Sequence, residues 1–96
     1  MMTEVIEDAV RALKEKMLNS SFDGSAKFEI EGEGSIVLRG NSVYASDEDT
    51  DVTFLASVEI FQEIFNGEVD PTAAFMTGKL KIDGDMGIAM RLANAF

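Results

Sequence analysis

The chain has 96 residues, no cysteine and no histidine, and its 18 acidic residues against 8 basic ones give a formal net charge of −10. That length fits a single domain over residues 1–96 with a modest core. Without cysteine there is no disulfide, no thiolate nucleophile and no cysteine-held zinc or iron–sulfur centre. Without histidine the usual general base at neutral pH and the commonest transition-metal ligand are missing.

A charge of −10 is repelled at long range by nucleic acid and by anionic membranes. The charge is unevenly spread. Residues 1–70 hold 16 acidic and 5 basic side chains, whereas residues 71–96 hold Lys79, Lys81 and Arg91 against Asp83 and Asp85. The C-terminal end is therefore nearly neutral and apolar, which suits either a plain soluble fold or a docking face. Met1 to Glu4 open an acidic amphipathic stretch, with no basic leader and no run near the roughly 18–20 apolar residues of a membrane span. The expectation is a cytoplasmic protein without stable membrane insertion, capable at most of transient docking.

In chain order, Val5, Ile6, Ala9, Val10, Leu13 and Met17 recur at helical spacing and predict a helix over 3–18, with Thr3 as its cap. Asn19-Ser20-Ser21 ends it. The period then falls to two. Ala26, Phe28 and Ile30 alternate with Lys27, Glu29 and Glu31 in a first strand, and Gly32-Glu33-Gly34 breaks it. Ile36 and Leu38 share a face of a second strand, and Gly40-Asn41 signals a hairpin into a third around Val43, Tyr44 and Ala45. Asp47-Glu48-Asp49 reads as an exposed loop. Val52, Phe54 and Ala56 form a fourth strand. Short turns joining these four predict an antiparallel meander.

Helical spacing returns after Ser57, a cap for a helix carrying Val58, Phe61, Ile64 and Phe65 and closed by Gly67. Asp70-Pro71 starts a short helix with Ala73, Ala74, Phe75 and Met76, ended by Gly78. Lys79 to Asp83 alternate as a fifth strand. Gly84-Asp85 starts a last helix toward Phe96, apolar around most of its circumference. Such a helix needs cover on nearly every side, from a ligand, a partner or a second copy of the chain.

Three short patterns reduce to structure. Asp47, Asp49 and Asp51 imitate a calcium loop, but Val52 and Val58 stand where glycine and glutamate are required, so no metal is expected. Gly32 and Gly34 begin a dinucleotide fingerprint that Val37 breaks. Asp83 and Asp85 are a carboxylate pair beside an apolar helix, with helix capping the plainer role for Asp85. A denser feature is the group Phe54, Phe61, Phe65, Phe75, Met76, Met86, Met90 and Phe96. It reads either as core or, given methionine's adaptable packing, as the wall of an apolar cavity.

The ordered series Asp51-Val52-Thr53, Gly67, Asp70-Pro71, Ala74-Phe75-Met76, Gly78-Lys79-Leu80-Lys81-Ile82, Gly84-Asp85 and Met90 to Leu92 resembles the sterol carrier protein type 2 (sterol-binding domain) family, in a small stand-alone form. Residues 1–45 fit the family's order of one helix and three strands. The resemblance implies an α+β fold: a five-stranded, mainly antiparallel sheet with helices on one face and an apolar tunnel between them. It implies a non-enzymatic carrier, without cofactor, of a lipid-like ligand: a fatty acid, acyl-CoA, isoprenoid or sterol-like molecule. Phe54, Leu80 and Ile82 are then expected as the floor, and Phe61, Phe65, Phe75, Met76, Met86 and Met90 as the walls. The alternative is an accessory module, docking through its C-terminal apolar face on itself as a homodimer or on an enzyme of lipid or quinone metabolism. The chain ends at Ala95-Phe96, without the peroxisomal tripeptide of many eukaryotic members.

Overall fold

A computed structural model describes residues 4–18 and 22–94. The elements run α1 (Glu4–Lys16), β1 (Ser25–Ile30), β2 (Gly34–Arg39), β3 (Ser42–Ala45), β4 (Val52–Ala56), α2 (Val58–Phe65), α3 (Pro71–Met76), β5 (Lys81–Gly84) and α4 (Met86–Asn94). The expected Thr3 cap and Asn19-Ser20-Ser21 stop, and Phe96, lie outside the described residues.

The five strands form one mixed sheet in the order β3-β2-β1-β4-β5. Three neighbouring pairs are antiparallel, and β1 with β4 is parallel. The meander expected for the first four strands is therefore corrected: β4 does not pair with β3 but returns to the far side of β1. Alternation specifies a strand and its buried face, not its neighbour. The connection 46–51 is long enough to cross β2 and β1 at roughly 4.8 Å per strand.

The helices cover one face. Ala26, Phe28 and Ile30 point to it from β1, Ile36 and Leu38 from β2, Val43 from β3, and Val52, Phe54 and Ala56 from β4, all buried. α1 buries Ile6, Ala9, Val10 and Leu13, and packs on β2, β3 and α2. α2 buries Phe61, Ile64 and Phe65. α4 buries Ala89, Leu92 and Ala93 and packs on β4, β5 and α3. It buries one face, not the whole circumference. Met86 is 42% exposed.

Local chemistry sets the boundaries. Ser57 Oγ accepts the Ile60 N–H at 3.3 Å, and Asp70 Oδ1 accepts the Thr72 N–H at 3.4 Å with Pro71 behind it, so both expected caps form. Asp85 Oδ1 accepts the Ile88 N–H at 3.1 Å, which assigns it to capping α4. β5 begins at Lys81 rather than Lys79, because the amides of Lys79 and Leu80 both bond to the Ala74 carbonyl and finish the α3 turn.

Gly84 is constrained twice. Its φ is +116°, and a Cβ there would sit 2.5 Å from the Asp51 carbonyl oxygen. Gly32 has φ +79° with open space around it. Gly84→Ala should therefore destabilise by about 2–3 kcal/mol, a fall in Tm of roughly 10 °C or more. Gly32→Ala should cost only about 1 kcal/mol. Thermal melts of the two variants check the difference, and equal losses would contradict this account of the β4–β5 junction.

Candidate functional site

Phe28 lies at the centre of the sheet's helical face. Its ring stacks on Phe54 (centroids 5.2 Å apart, planes 11° apart) and meets the edges of Phe61 and Phe65 at 5.9 and 6.1 Å. Phe61 and Phe65, one helical turn apart, stack at 5.8 Å. The register Phe28↔Phe54 places the first pair, and the i, i+4 spacing of α2 places the second. Offset and edge-on ring pairs of this kind contribute beyond their buried area. Together with Ile64, Pro71, Leu80 and Ala93 the rings enclose an apolar seam between sheet and helices. Its free volume is only about 10 Å³, roughly the room of one water.

A larger opening lies beside it. Between α1 and α2 runs a cleft of about 380 Å³, walled by Val5, Ala9, Ala12, Ile30, Val58, Phe61 and Phe65, with Asp8, Gln62 and Asn66 as its polar groups. That volume is within the range of small-ligand pockets. Phe61 and Phe65, two residues of one helix, line both the open cleft and the closed seam.

Of the residues expected to line a cavity, the structure brings Phe54, Phe61, Phe65 and Leu80 together in the seam. Ile82, Phe75 and Met90 are half-buried. Met76 is 77% exposed and Met86 42% exposed, and neither lines the seam or the cleft. Sequence reasoning missed Val5, Ala9 and Val58 because they read as the ordinary inner faces of amphipathic helices, and it did not single out Ala12. The available signal was size: Ala9 and Ala12 leave room where α1 faces α2.

Among the described residues the interior offers no free polar side chain. Ser25 is the buried polar residue among those described, and it is engaged with Asp51: its hydroxyl accepts the Asp51 N–H at 2.9 Å, and its own N–H donates to Asp51 Oδ2 at 3.0 Å. Among the described residues no buried side-chain polar atom lacks a partner. Nor is any helix long and apolar enough to cross a membrane.

On the opposite face the connection 46–51 is held by charge. The Lys27 ammonium donates to Asp47 at 3.1 Å and lies 3.7 Å from Glu29; the Asp47 hydrogen bond raises its pKa. Arg39 bonds Glu48 at 3.1 Å and Tyr44 Oη at 3.4 Å. Hydrogen bonding to Tyr44, with help from Ser46 and Arg39, keeps the Glu48 carboxyl below its usual range.

A helix-roofed mixed sheet over an aromatic seam, with a cleft between α1 and α2 beside it, defines an α+β domain built around an apolar interior. The chain belongs to the SCP-2 sterol transfer family, whose model matches residues 5–96. Hydroxysteroid dehydrogenase-like protein 2 of Bos taurus is 33% identical over 92 residues, 95% of this chain and 21% of that protein. The chain thus spans about a fifth of that relative. The crystal structure of sterol carrier protein 2 like 2 from Aedes aegypti superposes with a TM-score of 0.81 at 18% identity, covering 96% of each chain. Sterol carrier protein 2 of Aedes aegypti, in complex with the C16 fatty acid palmitate, gives 0.73 at 18% identity, covering 98% of this chain and 94% of that one.

The ring cluster predicts contrasting mutational costs. Phe54→Ala should destabilise by about 3–5 kcal/mol, since it removes the ring stacked on Phe28. Met76→Ala should change stability by no more than about 0.5 kcal/mol. Urea unfolding curves measure both, with Phe54→Leu as the milder variant should Phe54→Ala not fold.

Proposed function

We propose that the chain, as one domain over residues 1–96, binds and carries a lipid-like apolar molecule without converting it. The observation that carries this reading is the largely apolar α1–α2 cleft, which shares Phe61 and Phe65 with the aromatic seam. The tail enters at the cleft, displaces these two rings, and lies over Phe54 and Leu80 between sheet and helices. Ile82, half-buried and packed against the core, would adjust around a long tail. Each buried methylene contributes about 0.8 kcal/mol before the cost of immobilisation. Palmitate in the Aedes aegypti relative supports a linear acyl chain as one such ligand. The whole lining is apolar apart from Asp8, Gln62 and Asn66, which supports carriage rather than catalysis.

The test pairs native mass spectrometry of the gently purified protein with displacement of an uncharged fluorescent lipid probe. Lipid should co-purify, and the probe should bind in the micromolar range or tighter. Ala12→Phe fills the cleft without touching the seam, and should cut probe affinity at least about tenfold while leaving the melting temperature within a few degrees. Undiminished binding by that variant would remove the cleft from the pathway.

One observation favours a second reading, docking through the C-terminal apolar face on a second copy or on an enzyme: Met76 and Met86 are large apolar side chains left exposed. Light scattering should then show a dimer that Met86→Glu dissociates without loss of folding. A monomer at all concentrations would remove the self-docking form.

A further inference from the structure

We infer that the α1–α2 cleft selects ligands with an uncharged, hydrogen-bonding head, such as a long-chain alcohol, ester or amide, over ligands that carry a carboxylate or phosphate. This rests on the carrying reading above and adds the head-group class. Its starting point is where polarity is absent. The seam holds no unpartnered polar side chain among the described residues, so a head group has no anchor inside and must stay at the cleft. There the polar groups on offer are the Asp8 carboxylate and the amides of Gln62 and Asn66. A carboxylate accepts hydrogen bonds, and an amide both donates and accepts. A hydroxyl satisfies all three; a second carboxylate satisfies the amides and opposes Asp8.

The surroundings act in the same direction. Residues flanking the lining positions include Glu4, Glu7, Glu31, Glu59 and Glu63. The cation among the described flanking residues is Arg11, which bonds Asp8 at 3.0 Å and does not line the cleft. α2 ends at Asn66, so the negative end of its dipole lies at that side of the cleft. At its other end the Ser57 hydroxyl already takes the Ile60 N–H, and Glu59 adds negative charge to the first turn. Among the described residues lining the cleft there is no cation. The Asp8 side chain is 62% exposed, so the discrimination is electrostatic, moderate and sensitive to salt.

The experiment uses the full chain and two pyrene-labelled probes that differ only in the head, pyrene-decanol and pyrene-decanoate, titrated at mildly alkaline pH and low salt. The alcohol should bind about tenfold more tightly. The gap should narrow at high salt. Asp8→Asn, an exposed change that also frees Arg11, should close it, chiefly by improving decanoate binding; a melting curve confirms that the variant folds. Equal affinities in the wild type, a tighter decanoate, or a gap that survives Asp8→Asn would each overturn the selectivity and leave the carrying reading standing. Binding of neither probe would overturn the carrying reading and the selectivity with it.

Discussion

The parallel pairing of β4 with β1 is the constraint on which the rest of the molecule depends. It sets Phe54 beside Phe28, and their stacked rings form the floor on which α2 lies. Asp51, the residue just before β4, fixes that register with three groups. Its carboxylate takes the Ser25 N–H, its own N–H goes to the Ser25 hydroxyl, and its carbonyl takes the Asp85 N–H at 3.0 Å. One residue thereby ties the start of β1, the start of β4 and the entry to α4. Gly84 passes so close to the same carbonyl that no side chain fits. A slip of β4 by one residue would turn Phe54 out of the core and unseat β5 and α4 together.

Reaching that position obliges the chain to run from β3 across the exposed face of two strands. The crossing is fastened by Lys27 with Asp47 and by Arg39 with Glu48. Exposed ion pairs such as Arg39 with Glu48 contribute too little to fold a domain. They are enough to choose one path for a short connection whose ends the sheet already fixes. The division of labour follows from burial. Apolar contacts on the helical face supply stability, and charges on the open face supply direction.

Much of this was legible in the sequence because the signals are local. The switch between periods of two and 3.6 marks the strands and helices, and Ser57, Asp70 and Asp85 announce helix starts through side chains that bond their own next turn. The partner of β4 was not legible, since Val52, Phe54 and Ala56 alternate in the same way beside β3 or beside β1. The late start of β5 was hidden too, because Lys79 and Leu80 alternate like strand residues while their amides serve α3. At the site, Phe54, Phe61, Phe65 and Leu80 were identifiable as large apolar residues of buried faces. Met76 was not separable from them, because apolarity alone does not say which side of a two-turn helix meets the sheet. The cleft was the hardest feature to foresee. It is a gap between two helices of distant sequence, created by the smallness of Ala9 and Ala12, and residue patterns record what is present rather than what is left open.

On the proposed carrying reading the core and the binding interior share the same residues. Phe61 and Phe65 complete the aromatic cluster when the seam is closed, and on the carrying reading they are also the rings that a ligand tail moves. Each ring pair given up costs about 0.5–1.5 kcal/mol beyond area burial. Each methylene brought in returns about 0.8 kcal/mol. One or two methylenes therefore offset each ring pair that is broken, and the remainder of a long tail supplies net affinity. On that reading short ligands would gain too little to open the seam, whereas long ones would replace the rings as its filling. Chain length would then be discriminated by the stability of the closed cluster itself, with no dedicated contact at the far end of the tail.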